Sequence, residues 1–361
     1  MFHNLPTYLN VLAYQCLWIP EPPMTEKNVP DLGGKVLLVT GGDTRIGYHL
    51  CRILYARHGS VYLTSQNVER GEAAIKRIKA AHPASLGRIH GLYLDLGDLT
   101  SIKASVKALT DRESRLDVLW NNADVMTPSL LQKTAAIAPL YTVRVLWAGA
   151  SSIVFFAPTG GVEMDEGTDG NGKDAKPVPQ WSQLQNYAQS KAGNLFLAHG
   201  LAKEVEGSGI VSVCFNPGNC FTESGWHMSG SELLQRLILY TPEKGAYTEL
   251  YCGLSPELTA WHNGKYFAPW GCMSRTRRDI DDALKIREYD GKNNIGKGDA
   301  GKPVAGQKEA SKSDAASVTN KKDDAGKGKG AVKKKAPVAN VQRDAADEFV
   351  EYCRRETAAY L

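Results

Sequence analysis

Several features that define other classes of protein are absent from this chain. Its seven cysteines are scattered, odd in number and never spaced C-x-x-C, which argues against a disulfide framework and against a zinc site. No apolar stretch is long enough to cross a bilayer. The N-terminus has neither a basic segment before an apolar core nor a small-residue cleavage site. We therefore predict a reducing compartment, the cytoplasm, and a site without a metal ion.

A second absence marks one segment of the chain. Residues 291–341 contain no aromatic residue and consist almost entirely of Gly, Lys, Ala, Ser, Asp, Asn, Val and Pro. Such a composition cannot bury enough apolar surface to fold, so we predict a disordered insertion. The segment holds 12 Lys against five acidic residues, a surplus of seven, whereas the formal charge of the whole chain is +4. The remainder therefore carries about −3, and no specific nucleic-acid binding is expected of it.

Strand-like runs rich in Val, Leu and Tyr alternate with helical patterns from residue 35 onward. This alternation is typical of an α/β fold, and it predicts a doubly wound parallel sheet in a single Rossmann-type domain. The predicted strands are 35–40, 60–64, 89–94, 116–120, 143–148, 211–215 and 265–268. The predicted domain limits are an N-terminal arm at 1–30, the Rossmann-type domain at 31–290, the insertion at 291–341 and a C-terminal helix at 342–361 that docks on the domain.

The first predicted strand leads into a glycine turn and then a helical stretch, Gly41-Gly42-Asp43-Thr44-Arg45-Ile46-Gly47 before YHLCRILYARHG. Backbone amides at such a helix start point at an anion, which is why dinucleotide folds place the pyrophosphate there. A lone glycine cluster is more often a tight turn, but its place after the first strand favours phosphate binding. Asp95-Leu96 and Asn121-Asn122-Ala123 follow the third and fourth strands, at the edge where ligands bind.

Two tyrosines have a lysine four residues on. Tyr187 and Lys191 lie in a proline-free run with helical spacing of apolar residues, so they are predicted one turn apart on a helix. Tyr240 and Lys244 enclose Pro242, and we interpret that pair as part of a loop.

Together these residues resemble the classical short-chain dehydrogenase/reductase family, in particular its retinol-dehydrogenase-like and fungal members. The likeness begins at about residue 24, and only the 291–341 segment interrupts it. The family motif Thr-Gly-x-x-x-Gly-Ile-Gly is matched at Thr40, Gly41, Ile46 and Gly47. The first three residues of Asn-Asn-Ala-Gly are matched at 121–123, and Asn-Pro-Gly is matched at 216–218.

The resemblance implies hydride transfer between a nicotinamide and an apolar alcohol, aldehyde or ketone, in secondary metabolism. Tyr187 would pass the proton, and the Lys191 ammonium would favour the tyrosinate, since a free tyrosine has a pKa near ~10. Ser151 is the substitute for the family's serine. Cofactor contacts are implied for Gly41, Arg45, Ile46, Gly47, Gln66, Asp95, Leu96, Asn122, Ala123, Lys191, Pro217, Gly218 and Thr222.

The chain departs from the family pattern at four places. Arg45 stands where the family has its second glycine, and Asp124 replaces the last glycine of Asn-Asn-Ala-Gly. Gly149 and Ala150 stand where the family has serines, and the 125–142 crossover lacks a Thr-Asn-x-x-Gly segment and most of the usual dimer helix. The oligomeric state therefore stays open.

The end of the second strand bears on cofactor choice. Residues 63–67, Leu-Thr-Ser-Gln-Asn, include no acidic residue for a ribose 2′-hydroxyl, which favours NADP over NAD. Arg45 is a candidate partner for the 2′-phosphate, while Gln66 stands where NADP enzymes often have arginine.

Three hypotheses remain open from the sequence. The first is an active NADP-dependent enzyme, and the second is a degenerate relative with an impaired cofactor site, motivated by the four departures. A weaker third hypothesis assigns polyanion binding to 291–341. The N-terminal arm is expected to pack on its own domain, with contact to a membrane surface as the alternative.

Overall fold

An eight-stranded sheet runs through the centre of the computed structural model, which describes residues 5–123, 141–168, 174–220, 239–284 and 345–358. The strand order is β3-β2-β1-β4-β5-β6-β7-β8. The strands are β1 Val36–Val39, β2 Ser60–Ser65, β3 Arg88–Tyr93, β4 Arg115–Asn121, β5 Tyr141–Ala148, β6 Val211–Phe215, β7 Tyr266–Ala268 and β8 Cys272–Ser274.

The sheet is parallel from β3 to β7, and β8 pairs antiparallel with β7 at one edge. Every residue of β1 and β2 is buried, as expected for central strands covered on both faces. Alternate side chains of β1 enter opposite layers, with Leu38 in one apolar cluster and Leu37 and Val39 in the other. The predicted doubly wound parallel sheet is therefore confirmed.

The helices of the described residues lie in both layers. They are α1 Leu5–Val11, which continues into a π-helical turn at Leu12–Leu17, α2 Arg45–Ala56, α3 Val68–Ala81, α4 Thr100–Thr110, α5 Ser152–Phe156, α6 Gln183–Glu204, α7 Pro242–Leu254, α8 Arg278–Ala283 and α9 Ala345–Thr357. None of these helices has both the length and the apolar composition needed to span a bilayer.

The structure differs from the sequence-based predictions at three places. Strand β8 was not predicted, because three residues after a turn give no apolar run. Strand β5 begins at Tyr141, two residues before the predicted start. The loop predicted at Tyr240 to Lys244 is wrong from Pro242 onward, because α7 begins there. Proline suits the first position of a helix, where its missing N–H has no intrahelical partner to lose.

The C-terminal helix α9 packs against α6. A Cβ added at Gly193 would lie 2.5 Å from the Phe349 ring, and one added at Gly200 would lie 2.8 Å from Val350. The two glycines are seven residues apart, so they open two successive turns on one face of α6 to the side chains of α9. The predicted domain limits stay predictions, and 291–341 lies outside the described residues.

Candidate functional site

The turn between β1 and α2 brings backbone close to backbone. Gly41 has φ 64°, in the left-handed region that glycine adopts without strain. A Cβ added at Gly47 would lie 2.5 Å from the carbonyl oxygen of Gly41 and 2.6 Å from Nδ2 of Asn122. The first turn of α2 carries no acidic side chain. The helix therefore presents its N-terminal amides and the positive end of its dipole without a neighbouring carboxylate in that turn.

Arg45 occupies a glycine-like conformation in this turn. Its φ is 52°, in a region that costs a residue with a Cβ on the order of 1 kcal/mol or more. The side chain is exposed, which agrees with an outward-pointing guanidinium and not with a side chain buried in the turn. The backbone therefore has a conformation that suits glycine at the position where the family's glycine is replaced by arginine.

The end of β4 is tied to the end of β1. Nδ2 of Asn122 donates to the carbonyl oxygen of Thr40 at 2.9 Å, and the amide of Ala123 donates to Oγ1 of Thr40 at 2.9 Å. These bonds fix the switch point of the sheet, where the strand order reverses and ligands of such folds bind. Asp124, the next residue, lies outside the described residues.

A buried carboxylate that the sequence analysis did not identify lies against the end of β2. Asp43 is buried, and its Oδ2 accepts a hydrogen bond from Oγ of Ser65 at 2.8 Å and one from Nε of Arg70. Gln66 is exposed beside this group. Asp43 lies in the turn after β1 and Arg70 lies on α3, so spacing along the sequence gives no signal that they meet.

Two of the predicted cofactor residues at the end of β3 have structural roles. Oδ1 of Asp95 accepts a hydrogen bond from the amide of Gly97 at 2.8 Å, which closes an Asx turn. Leu96 packs on the apolar core. Thr222, predicted beside the nicotinamide, lies outside the described residues.

Helix α6 places a buried ammonium at the end of β5. Lys191 is 3% exposed, and its Nζ donates to the carbonyl oxygen of Ala148 at 3.1 Å. Nδ2 of Asn194 donates to the same oxygen at 2.8 Å. The Lys191 Nζ lies 5.5 Å from the centre of the Tyr187 ring, one helical turn away. Sequence reasoning missed Asn194, although its position three residues after Lys191 places it on the same face of the helix.

The second Tyr–Lys pair is similar in distance but not in surroundings. The Lys244 Nζ lies 5.3 Å from the centre of the Tyr240 ring. Lys244 is exposed in the first turn of α7, whereas Lys191 is buried against the end of a central strand. Burial at the carboxyl edge, not ring distance, distinguishes the Tyr187 pair.

The segment after β6 reaches the start of α5. Oγ of Ser151 donates to Oδ1 of Asn219 at 3.2 Å, and Ser151 is the N-cap residue of α5. Gly218 has φ 89°, so the turn through Pro217 and Gly218 depends on a glycine conformation. The amide of Gly149 donates to the carbonyl oxygen of Phe215 at 2.7 Å. The structure therefore brings Ser151, Lys191 and residues 216–219 to the carboxyl ends of β5 and β6.

Comparison with known proteins identifies the family of this chain. A model of the short chain dehydrogenase family matches residues 35–146. A short-chain dehydrogenase/reductase of Phomopsis amygdali is 38% identical over 314 residues, which cover 77% of this chain and 91% of the relative. The chain belongs to the short-chain dehydrogenase/reductase family.

Other relatives of this short-chain dehydrogenase/reductase are also fungal. A family member from Pestalotiopsis fici is 36% identical over 294 residues, covering 72% of this chain and 87% of the relative. Among solved structures, the N-domain of a bacterial malonyl-CoA reductase with NADP matches with a TM-score of 0.50 and 19% identity. That match covers 69% of this chain and 53% of the other, and it concerns the fold alone. Family membership supports an NAD(P)-dependent oxidoreductase that acts on a small molecule.

Proposed function

We propose that this chain is an NADP-dependent oxidoreductase that interconverts an apolar alcohol and the corresponding aldehyde or ketone, with Tyr187 as acid/base and Lys191 as its partner. The observation that carries the proposal is the burial of Lys191 at the end of β5, bonded to the Ala148 carbonyl oxygen and one turn from Tyr187. A lysine is rarely buried to this extent unless it is paired or has a task.

The described residues fit a dinucleotide. The cradle formed by Gly41 and Gly47 has no room for a Cβ at Gly47, and the amides at the start of α2 would hold the pyrophosphate. Asn122 and Ala123 would line the middle of the cofactor, Lys191 would hold the ribose hydroxyls, and Pro217 and Gly218 would lie beside the nicotinamide. A bound nicotinamide would supply or accept the hydride.

The side chains of this chain would handle the proton. The Tyr187 hydroxyl would donate a proton to a carbonyl oxygen in reduction and accept one from the alcohol in oxidation. The ammonium of Lys191 favours the tyrosinate by its charge and stays in place through its bond to Ala148. Ser151 would donate a hydrogen bond to the substrate oxygen in place of Asn219.

The preference for NADP is supported by the charges at the end of β2. The Asp43 carboxylate is paired with Arg70, so it does not present an unpaired negative charge to the ribose. Arg70 is half-exposed and Arg45 is exposed. Both guanidiniums lie on elements that flank the expected position of a 2′-phosphate, and guanidinium is the side chain best suited to bind one.

To the four departures in the sequence that motivate the degenerate-relative hypothesis, the described residues add the left-handed conformation of Arg45. A strained residue at the phosphate turn is what a decayed nucleotide site would contain. The same strained residue is expected if the Arg45 guanidinium binds a phosphate, because strain of this kind concentrates at functional positions.

A dinucleotide titration with an Arg45→Gly variant distinguishes the two hypotheses. We expect the unmodified chain to bind NADPH with a Kd in the micromolar range and NADH more weakly, as measured by nicotinamide fluorescence. Arg45→Gly should increase the free energy of unfolding in urea by about 1 kcal/mol, because glycine adopts this φ without strain. Its Kd for NADPH should rise, by less than about tenfold, because an exposed guanidinium contributes little to binding a phosphate.

Other outcomes of the titration contradict the proposal. If the parent binds no dinucleotide and Arg45→Gly does, the nucleotide site has decayed and the degenerate-relative hypothesis holds. If neither protein binds, the shortened 125–142 crossover becomes the suspected cause.

We further propose a cytoplasmic location, a role in secondary metabolism and a retinol-dehydrogenase-like choice of apolar substrate. The scattered, odd number of cysteines supports the location. The likeness to fungal family members supports a role in a fungal pathway. Fractionation of the tagged chain in a fungal host tests the location, and recovery of the chain in the membrane pellet would overturn it.

A further inference from the structure

The N-terminal arm reaches the candidate site through its π-helical turn. In this turn the amide of Trp18 donates to the carbonyl oxygen of Ala13 at 2.7 Å, five residues back. The wider turn lets two consecutive side chains, Gln15 and Cys16, face the protein, and both are buried. Leu9 and Leu12 lie on the outer face and are exposed. Such turns occur frequently at functional sites.

Gln15 links the edge of the sheet to the segment after β6. It is 1% exposed, its Nε2 donates to Oγ of Ser274 at 3.0 Å, and its Oε1 accepts from Nδ2 of Asn216 at 3.2 Å. Oδ1 of Asn216 in turn accepts from the amide of Gly218 at 2.9 Å. Ser274 thus sets the orientation of the Gln15 amide, and Gln15 sets that of Asn216, so that the carbonyl end of Asn216 faces Gly218.

The next residue of the arm touches the other end of the same segment. The Asn219 side chain lies beside the Cys16 thiol, and burial raises the pKa of that thiol. Asn219 also accepts the hydrogen bond from Ser151. Two consecutive residues of the arm therefore contact the two asparagines that flank Pro217 and Gly218. Gln15 contacts Asn216, and Cys16 contacts Asn219.

We propose that Gln15 is a positioning residue, which fixes residues 216–219 in the conformation that holds the nicotinamide half of the cofactor. The inference rests on the proposed function, because it assigns a cofactor to the site. The buried Asn216 amide is 1% exposed and has Gln15 as its acceptor. Without that acceptor the Asn216 amide keeps only the buried Tyr266 hydroxyl beside it, so it changes its orientation or leaves one N–H unpaired. The arm is then part of the active site, although it precedes the first strand by some twenty residues.

Gln15→Met tests this role, since methionine keeps the length of the side chain and removes both hydrogen bonds. The Kd values for NADPH and for 2′,5′-ADP, which lacks the nicotinamide half, are measured by isothermal titration calorimetry on the full chain. We expect the Kd for NADPH to rise about tenfold while that for 2′,5′-ADP stays within twofold. Leu12→Met, on the outer face of the same turn, is the matched control and should change neither value.

The outcomes separate the inference from the proposed function. Unchanged NADPH binding by Gln15→Met overturns the positioning role, and so does an equal loss of affinity for both ligands, which would indicate general damage. If Gln15→Met does not fold, a Ser274→Ala variant provides a second test. It leaves the N-terminal arm unchanged and removes only the hydrogen bond from Gln15 Nε2 to Ser274. It should weaken NADPH binding by a smaller factor and leave 2′,5′-ADP unaffected. If the parent binds neither ligand, the proposed function itself fails.

Discussion

Replacing Tyr187 with phenylalanine is expected to lower kcat by a factor of about 10² to 10⁴ while leaving the Kd for NADPH within a factor of two. The range is the usual contribution of a positioned proton donor or acceptor. The ring remains over the Lys191 ammonium, 5.5 Å from its centre, so the packing that holds the lysine is kept. The measurement is the consumption of NADPH with a panel of apolar aldehydes and ketones, followed by kinetics on the best substrate.

The chain provides a matched control in Tyr240→Phe. That residue also has a lysine ammonium near its ring, at 5.3 Å, but the lysine is exposed on α7. We expect Tyr240→Phe to keep kcat within threefold. An equal loss in the two variants, or none in Tyr187→Phe, would show that Tyr187 does not carry the proton. A parent that turns over no compound of the panel would favour the degenerate-relative hypothesis.

Glu249→Gln is expected to make the folded chain more stable, by an amount that grows with pH. Glu249 lies on α7 facing α2, is fully buried, and neither carboxylate oxygen has a hydrogen-bond partner among the described residues. Burial holds the pKa of this carboxyl well above its usual range. The groups that face it, Cys51, Cys220 and Cys252, are thiols whose pKa values are also raised by burial, so they supply no positive charge.

The sign of the pH dependence follows from this raised pKa. The folded chain keeps the Glu249 proton at a pH where the unfolded chain has lost it, so stability falls as pH rises above about 4.3, the ordinary value for glutamate. The decline continues at about 1.4 kcal/mol per pH unit until the folded-state pKa is reached. Glutamine does not ionise, so the gain of Glu249→Gln over the parent should increase with that slope.

Urea unfolding at pH 5, 6 and 7 measures the difference in free energy between variant and parent. Glu206→Gln, at an exposed position, is the control and should stay within about 0.5 kcal/mol of the parent at each pH. A gain that does not depend on pH would mean that Glu249 is ionised in the folded chain and has a partner.

Those parts of the fold and site that depend on local pattern could be predicted from the sequence. The alternation of strands and helices placed the parallel strands of the sheet, and the four-residue spacing of Tyr187 and Lys191 placed them one turn apart on α6. Helical periodicity and strand composition are properties of short windows, so they are readable without tertiary information. The glycine turn before α2 was predictable for the same reason.

The contacts that were missed join residues far apart in the chain. Gln15 meets Asn216 across 201 positions, and Asp43, in the turn after β1, meets Arg70 on α3. Hydrogen bonds between such side chains depend on how the helices and strands pack, and no periodicity in the sequence indicates them. The misread start of α7 has another cause, because Pro242 was judged by its effect inside a helix and not by its suitability for the first position.

The acceptor that holds Lys191 and Asn194 belongs to the main chain, as the carbonyl oxygen of Ala148. Main-chain atoms are the same whatever the codon, so no missense change at position 148 can delete this acceptor. Loss of Asn194 would still leave the bond from Lys191. The acceptor that holds the candidate catalytic lysine therefore does not depend on the side chain at position 148. In this part of the site, inactivating variants should concentrate at Tyr187 and Lys191 themselves.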